Sequence, residues 1–296
     1  MTIDYNINHI AILVCDTPIE NVTEVFGDFG DNTHDLLKNG QSNLPYPVIK
    51  YQVCIEDNKN SKEITQLKQA YDQLRSGIVV GHIKGIILTG SRADSFAENI
   101  LWITLLDDFI TSVLLDLQNF PIVGICFGHQ ILAKNLNCKV GRNLPEKGWE
   151  CGTTVIQLNK DIYTIENSPF KNPLKIADGS YLDELNLVEF HRDIVYGIPP
   201  PSSSAKFITI GSTSKCSIQG LITESGPLKV LTFQGHPEFT TPIAKELLKS
   251  DLKNNCFSEE DFEEFYHSTE NLDNQGQLFG DVINEFLNIH CDTQQE

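Results

Sequence analysis

Four apolar runs in the first half of the chain, at residues 9–14, 48–54, 85–89 and 121–125, have the length and composition of buried strands. Between the later ones, apolar residues recur at helical spacing over 61–76, 98–117 and 129–136. This alternation predicts an α/β fold with a mostly parallel central sheet flanked by helices. From about residue 151 the pieces shorten, and 153–158, 207–210 and 220–223 read as strands of a partly antiparallel extension. A further strand is expected over 228–233, and a closing helix over the apolar-periodic 282–287. Pro199, Pro200 and Pro201, followed by a serine run, lack the ladder donors of a central strand and mark a surface connection.

Length and composition fit one domain spanning 1–296, with insertions at about 22–46 and 251–278. The first insertion is rich in Gly, Asp and Asn; the second carries Glu259, Glu260, Asp261, Glu263 and Glu264 and reads as a solvated acidic face. Forty acidic residues against 22 basic give a net charge of −18, which repels phosphate backbones and anionic membrane surfaces, so neither nucleic acid nor membrane is an expected partner. No stretch reaches the roughly 20 apolar residues of a membrane span. The amino terminus lacks the basic start and cleavage pattern of a secretion signal. The eight cysteines show no zinc or redox spacing, and a reducing cytoplasm suits them. No metal or cofactor is expected.

One cysteine differs from the rest. Cys126 lies between Gly124 and Gly128, where the apolar run 121–125 gives way to a helical pattern. An unpaired cysteine in an apolar run is more often a small buried hydrophobe than a nucleophile. A core strand, however, gains nothing from two flanking glycines, whereas a nucleophile elbow needs them to clear its sharp turn. The turn also sets the thiol at a helix amino end, where unpaired N–H groups and the dipole favour thiolate.

About a hundred residues later, His236-Pro237-Glu238 supplies a base and a carboxylate to orient it. Pro237 disfavours the helical region for His236, and in extended chain the His236 and Glu238 side chains fall on one side. The preceding strand-like run places them at a strand's carboxyl end, the edge where open α/β sheets bind ligands.

Gly124-Ile-Cys-Phe-Gly-His-Gln130 and Gly235-His-Pro-Glu238 resemble the nucleophile and His/Glu signatures of class I glutamine amidotransferases, a flavodoxin-like α/β family. The likeness runs from the first strand to about Pro242. The Lys147-Gly-Trp149-Glu and Phe190-His191-Arg192-Asp193 segments look closest to the stand-alone branch that includes γ-glutamyl peptidases. The resemblance implies a Cys126, His236, Glu238 triad that cleaves a γ-glutamyl amide through a thioester. It also implies an oxyanion hole made by the N–H of Phe127 and a second donor near Gly90. The family's double glycine and proline are replaced here by Thr89-Gly90-Ser91-Arg92, which leaves the second donor open between Gly90 and Ser91.

Gln130 matches the family position that contacts the amino-acid end of the substrate, and His191 with Asp193 a second polar contact, with the Asp193 carboxylate suited to a substrate ammonium. His129 reads as a packed, hydrogen-bonded histidine. The implied partner is a small γ-glutamyl compound, glutamine or a γ-glutamyl peptide, and a separate ammonia-accepting chain if glutamine is the substrate. The alternative is a catalytically silent protein that keeps the fold for binding or regulation.

Overall fold

The computed structural model describes residues 4–17, 22–56, 59–202 and 204–291. Its strands are β1 (His9–Val14), β2 (Val48–Gln52), β3 (Ile83–Leu88), β4 (Pro121–Ile125), β5 (Val140–Arg142), β6 (Glu150–Leu158), β7 (Glu184–His191), β8 (Asp193–Val195), β9 (Lys206–Thr209), β10 (Gly211–Ser212), β11 (Gly220–Ser225) and β12 (Lys229–Phe233). The helices are α1 (Thr23–Phe26), α2 (Phe29–Lys38), α3 (Ser61–Val79), α4 (Leu101–Ser112), α5 (Phe127–Asn135), α6 (Thr241–Lys253), α7 (Glu259–Asn271) and α8 (Gly276–Cys291).

The central sheet has seven strands in the order β2-β1-β3-β4-β12-β11-β9. Its first five strands run parallel, and β11 pairs antiparallel with β12 and with β9. Smaller antiparallel sheets, β10-β6-β7 and β5-β8, extend it. The sequence-based expectation of a mostly parallel sheet with an antiparallel extension therefore holds.

Both faces of the sheet are buried, which is why its strands read as continuous apolar runs. Along β1, Ala11 and Leu13 join one core with α3, α4 and α5, while Ile10, Ile12 and Val14 join the other with α2 and α8. Leu67, Tyr71 and Leu74 form the buried stripe of α3, and Phe279, Val282, Ile283, Phe286 and Leu287 that of α8. Each such side chain contributes about 1.5–3 kcal/mol when removed from water.

Residues 22–46 supply α2, which is tied to α8 by buried polar contacts. Asn284 Nδ2 donates to Leu37 O and Ser42 O (both 2.9 Å), and Gln41 N donates to Asp281 Oδ1 (2.6 Å). The acidic cluster after residue 258 occupies the start of α7, where Ser258 and Asp261 form a capping box. Carboxylates in a first turn are favoured by the helix dipole. Phe265 and Thr269 of α7 are buried against Cys151 of β6 and its neighbours. No helix among the described residues is long and apolar enough to cross a membrane.

Candidate active site

Three adjacent parallel strands, β3, β4 and β12, end at one place, and the segments leaving them carry Gly90, Cys126 and His236. Cys126 has φ 49° and ψ −101° and caps α5. A Cβ on Gly124 would lie 2.6 Å from the Gly128 backbone, and one on Gly128 would strike Leu88 O, so the elbow requires glycine at both positions. The Cys126 N–H donates to Phe233 O (2.8 Å), fastening the elbow to β12.

His236 Nδ1 lies 2.8 Å from Glu238 Oε1, and the ring also interacts with the Cys126 thiol. The histidine ring is buried and stacked on Phe239, with centroids 4.2 Å apart and planes 2° from parallel. Burial works against the imidazolium, yet Glu238 and Cys126 together hold its pKa well above the ordinary histidine value. Gln234 Nε2 approaches Cys126 Sγ at 3.8 Å.

Gly90 sits against His236: a Cβ there would lie 2.8 Å from His236 Cε1 and 3.8 Å from Cys126 Cβ. The Ser91-Arg92 departure is anchored by Asp16. Arg92 Nε and Nη2 donate to its two oxygens at 3.0 and 2.8 Å, and Arg92 N donates at 2.7 Å. Phe127 begins α5, so its N–H has no partner within the helix. His129 is buried, with Nδ1 2.8 Å from Thr232 Oγ1, and burial pulls its pKa down to about 3.

The elbow opens into a cavity of about 330 Å³ whose lining includes Cys126, Gln130, Asp193 and His236. Gln130 Nε2 donates to Asp193 O (3.0 Å) and Gln234 Oε1 (3.1 Å). Asp193 pairs with Arg142, its direct partner across β5-β8, at 2.6 Å. Burial nevertheless raises its pKa to about 6, with Arg142 opposing.

His191, expected as a polar substrate contact, also lines this cavity and is held by protein groups. Its Nε2 lies 3.1 Å from Glu150 Oε2 and 3.2 Å from Glu189 Oε2, and its Nδ1 3.2 Å from Asp193 O, so both ring nitrogens face protein groups. Burial lowers its pKa, but the two carboxylates outweigh burial and raise it to about 10. Glu189 is pushed up to about 7 by burial, against the pull of His191. Glu150, His191 and Cys216 are the one group of metal-ligand types gathered among the described residues. At 3.1 and 3.2 Å the Glu150 and Glu189 carboxylates stand at ion-pair distance from His191 Nε2, and the three side chains form one buried ionic cluster.

Sequence reasoning gave no role to Gln234, Arg142, Glu150 or Glu189. Gln234 was within reach, being two residues before His236 in extended chain; the others are isolated charges whose meaning appears only once strands pair.

The sequence profile of the family described as "Glutamine amidotransferase class-I" matches residues 49–255. The chain belongs to the class I glutamine amidotransferase family. A glutamine amidotransferase-like protein of Schizosaccharomyces pombe is 32% identical over 263 residues, covering 89% of this chain and 92% of that protein. γ-Glutamyl peptidase 2 of Arabidopsis thaliana is 30% identical over 207 residues, covering 69% of this chain and 73% of the relative. The crystal structure of a glutamine amidotransferase from Thermotoga maritima superposes with a TM-score of 0.60 at 16% identity, over 96% of this chain and 99% of that one, a likeness of fold. Within this amidotransferase frame, the elbow cysteine and the His-Glu pair stand where chemistry can occur.

Proposed function

We propose that this amidotransferase-family chain hydrolyses the amide bond of γ-glutamyl compounds, with a peptide or amino-acid amine as leaving group. One observation carries the chemistry: the Cys126 thiol at a strained helix start interacts with His236, whose Nδ1 is held by Glu238 at 2.8 Å. His236 takes the thiol proton, and the sulfur forms a bond to the γ-carbonyl carbon. The oxygen gains negative charge beside the N–H of Phe127 and the loop at Gly90. As the C–N bond breaks, the imidazolium gives its proton to the departing amine. Water then loses a proton to His236 and attacks the thioester; the C–S bond breaks, and glutamate leaves. Glu238 stabilises the imidazolium at each stage.

The choice of a peptide-like amine rests on the cavity, which is lined by Cys126, Trp149, Phe190, Asn254 and Cys256 among others and is of drug-sized volume. The likeness to a γ-glutamyl peptidase points the same way. Glutamine would fill only the end nearest the sulfur.

The test is release of glutamate from a γ-glutamyl dipeptide and, separately, from glutamine, by the wild-type protein and by Cys126→Ala. The expected result is dipeptide cleavage that exceeds glutamine cleavage and is lost in the variant. Equal release by Cys126→Ala would remove the nucleophile; release from glutamine alone would remove the peptide preference.

A further inference from the structure

The three arginines that line the cavity are not in the same electrostatic state. Arg92 is forked onto Asp16, and Arg142 is shared between Asp94 (3.0 Å) and Asp193 (2.6 Å), so both are neutralised within the protein. Arg192 lies over the ring of Trp149, 5.1 Å from its centroid, and among the described residues no carboxylate forms an ion pair with it. It is an exposed guanidinium, braced by an aromatic face and directed at the cavity, in a chain whose net charge is −18. A cation held without an ion-pair partner among the described residues of so acidic a protein suits an anion that arrives from outside.

Its place within the cavity says which part of a substrate that anion would be. Gln130, Asp193 and Arg142 are joined into one polar group beside Cys126. Trp149, Phe190 and Arg192, with Asn254 and Cys256 beyond the end of α6, are a second set of lining residues, which we take as the cavity's other wall. A substrate whose glutamyl part occupies the polar group must place its leaving amine toward that second wall. Asp251 lines the same cavity and interacts with Arg92, while Cys256 feels both Asp251 and Arg192, whose charge also reaches Asp193.

We propose that this wall is a leaving-group subsite for an amino acid or short peptide with a free α-carboxylate, which Arg192 binds while Trp149 and Phe190 pack against its side chain. The assignment rests on the γ-glutamyl hydrolase reading and narrows it to γ-glutamyl peptides with an unblocked carboxyl end. An arginine fork holds a carboxylate through paired charge-assisted hydrogen bonds, and the aromatic faces receive an apolar side chain.

Calorimetric titration of Cys126→Ala, which cannot cut its ligand, with γ-glutamylphenylalanine and with the same dipeptide as its carboxyl-terminal amide tests the subsite. The acid is expected to bind about tenfold more tightly than the amide, a preference lost in Cys126→Ala/Arg192→Gln and partly kept in Cys126→Ala/Arg192→Lys. Equal binding of acid and amide, binding of neither, or a preference that survives Arg192→Gln would overturn it. Turnover by the wild-type protein is measured on the same two compounds. A binding preference without glutamate release would refute the hydrolase reading and leave the subsite standing; release with no preference for the acid would do the reverse.

Discussion

Replacing His191 by glutamine tests the electrostatics beneath the site, because His191 is the buried cation between Glu150 and Glu189. A histidine with a folded pKa of about 10 against about 6.5 unfolded contributes about 4 kcal/mol at pH 7, at about 1.36 kcal/mol per tenfold step in proton affinity. The sign follows from the raised value. The contribution is complete below the unfolded pKa of about 6.5 and is lost as pH rises through about 10, leaving about 2 kcal/mol at pH ~8.5. An independent route gives a similar size, since removing one partner of a buried ion pair costs about 3–5 kcal/mol.

Glu189, raised to about 7, also loses stability as pH rises from its unfolded value, whereas the lowered pKa of Glu150 gives stability that is lost as pH falls. The His191→Gln deficit should therefore be largest near neutrality and shrink on the alkaline side. Urea unfolding of both proteins, followed by tryptophan fluorescence at pH ~7 and ~8.5, measures it. Buried thiols such as Cys54, pushed up to about 12, also cost stability at high pH, but equally in both proteins, so the difference isolates His191. A deficit under about 1 kcal/mol at pH ~7, or one that grows toward pH ~8.5, would refute the assignment of a buried cation.

Two other outcomes follow from the cavity. Gly90→Ala brings a methyl to 2.8 Å from His236 Cε1, and should lower kcat for γ-glutamyl hydrolysis about 10²-fold by displacing the base while thermal unfolding changes little; near-normal kcat would separate Gly90 from the site. The carboxylate of Asp193, with its pKa raised to about 6, is charged above that value, so if it binds the substrate ammonium, KM should rise as pH falls below about 6. Asp193→Asn should show a raised KM without this dependence, and an unchanged profile would give the ammonium to another group.

The parallel sheet was legible because both of its faces are buried, which turns each strand into an apolar run. The elbow was legible because Gly124 and Gly128 answer a steric demand that a core strand does not make. Boundaries were harder. The helix expected over 282–287 runs from Gly276 to Cys291, since its first turns include Gly276, Gly280 and Asp281, which are buried against other elements. Likewise α2 hid within a polar stretch because Asn32 and Thr33 are buried and satisfied by Phe26 O and Phe29 O, and polarity there does not mean exposure.

That Glu150 and Glu189 went unread beside His191 has a more general cause. Glu150 stands directly opposite His191 in the β6-β7 ladder, and Glu189, two residues back, shares its face, so three charges far apart or unremarkable in sequence become one cluster only through antiparallel register. Arg142 and Asp193 meet in the same way across β5-β8. By contrast, Cys126, His236 and the Gly90 loop each follow a parallel strand, and each carries its own local signature of glycine or proline. On the proposed function, bond-making groups therefore come from the parallel sheet, while most groups that would discriminate substrates come from the extension and from the end of α6. The first set is constrained by turn geometry and can be read along the chain. The second is constrained by pairing across strands, so substitutions there can change which γ-glutamyl compound is accepted while leaving the elbow and its base in place.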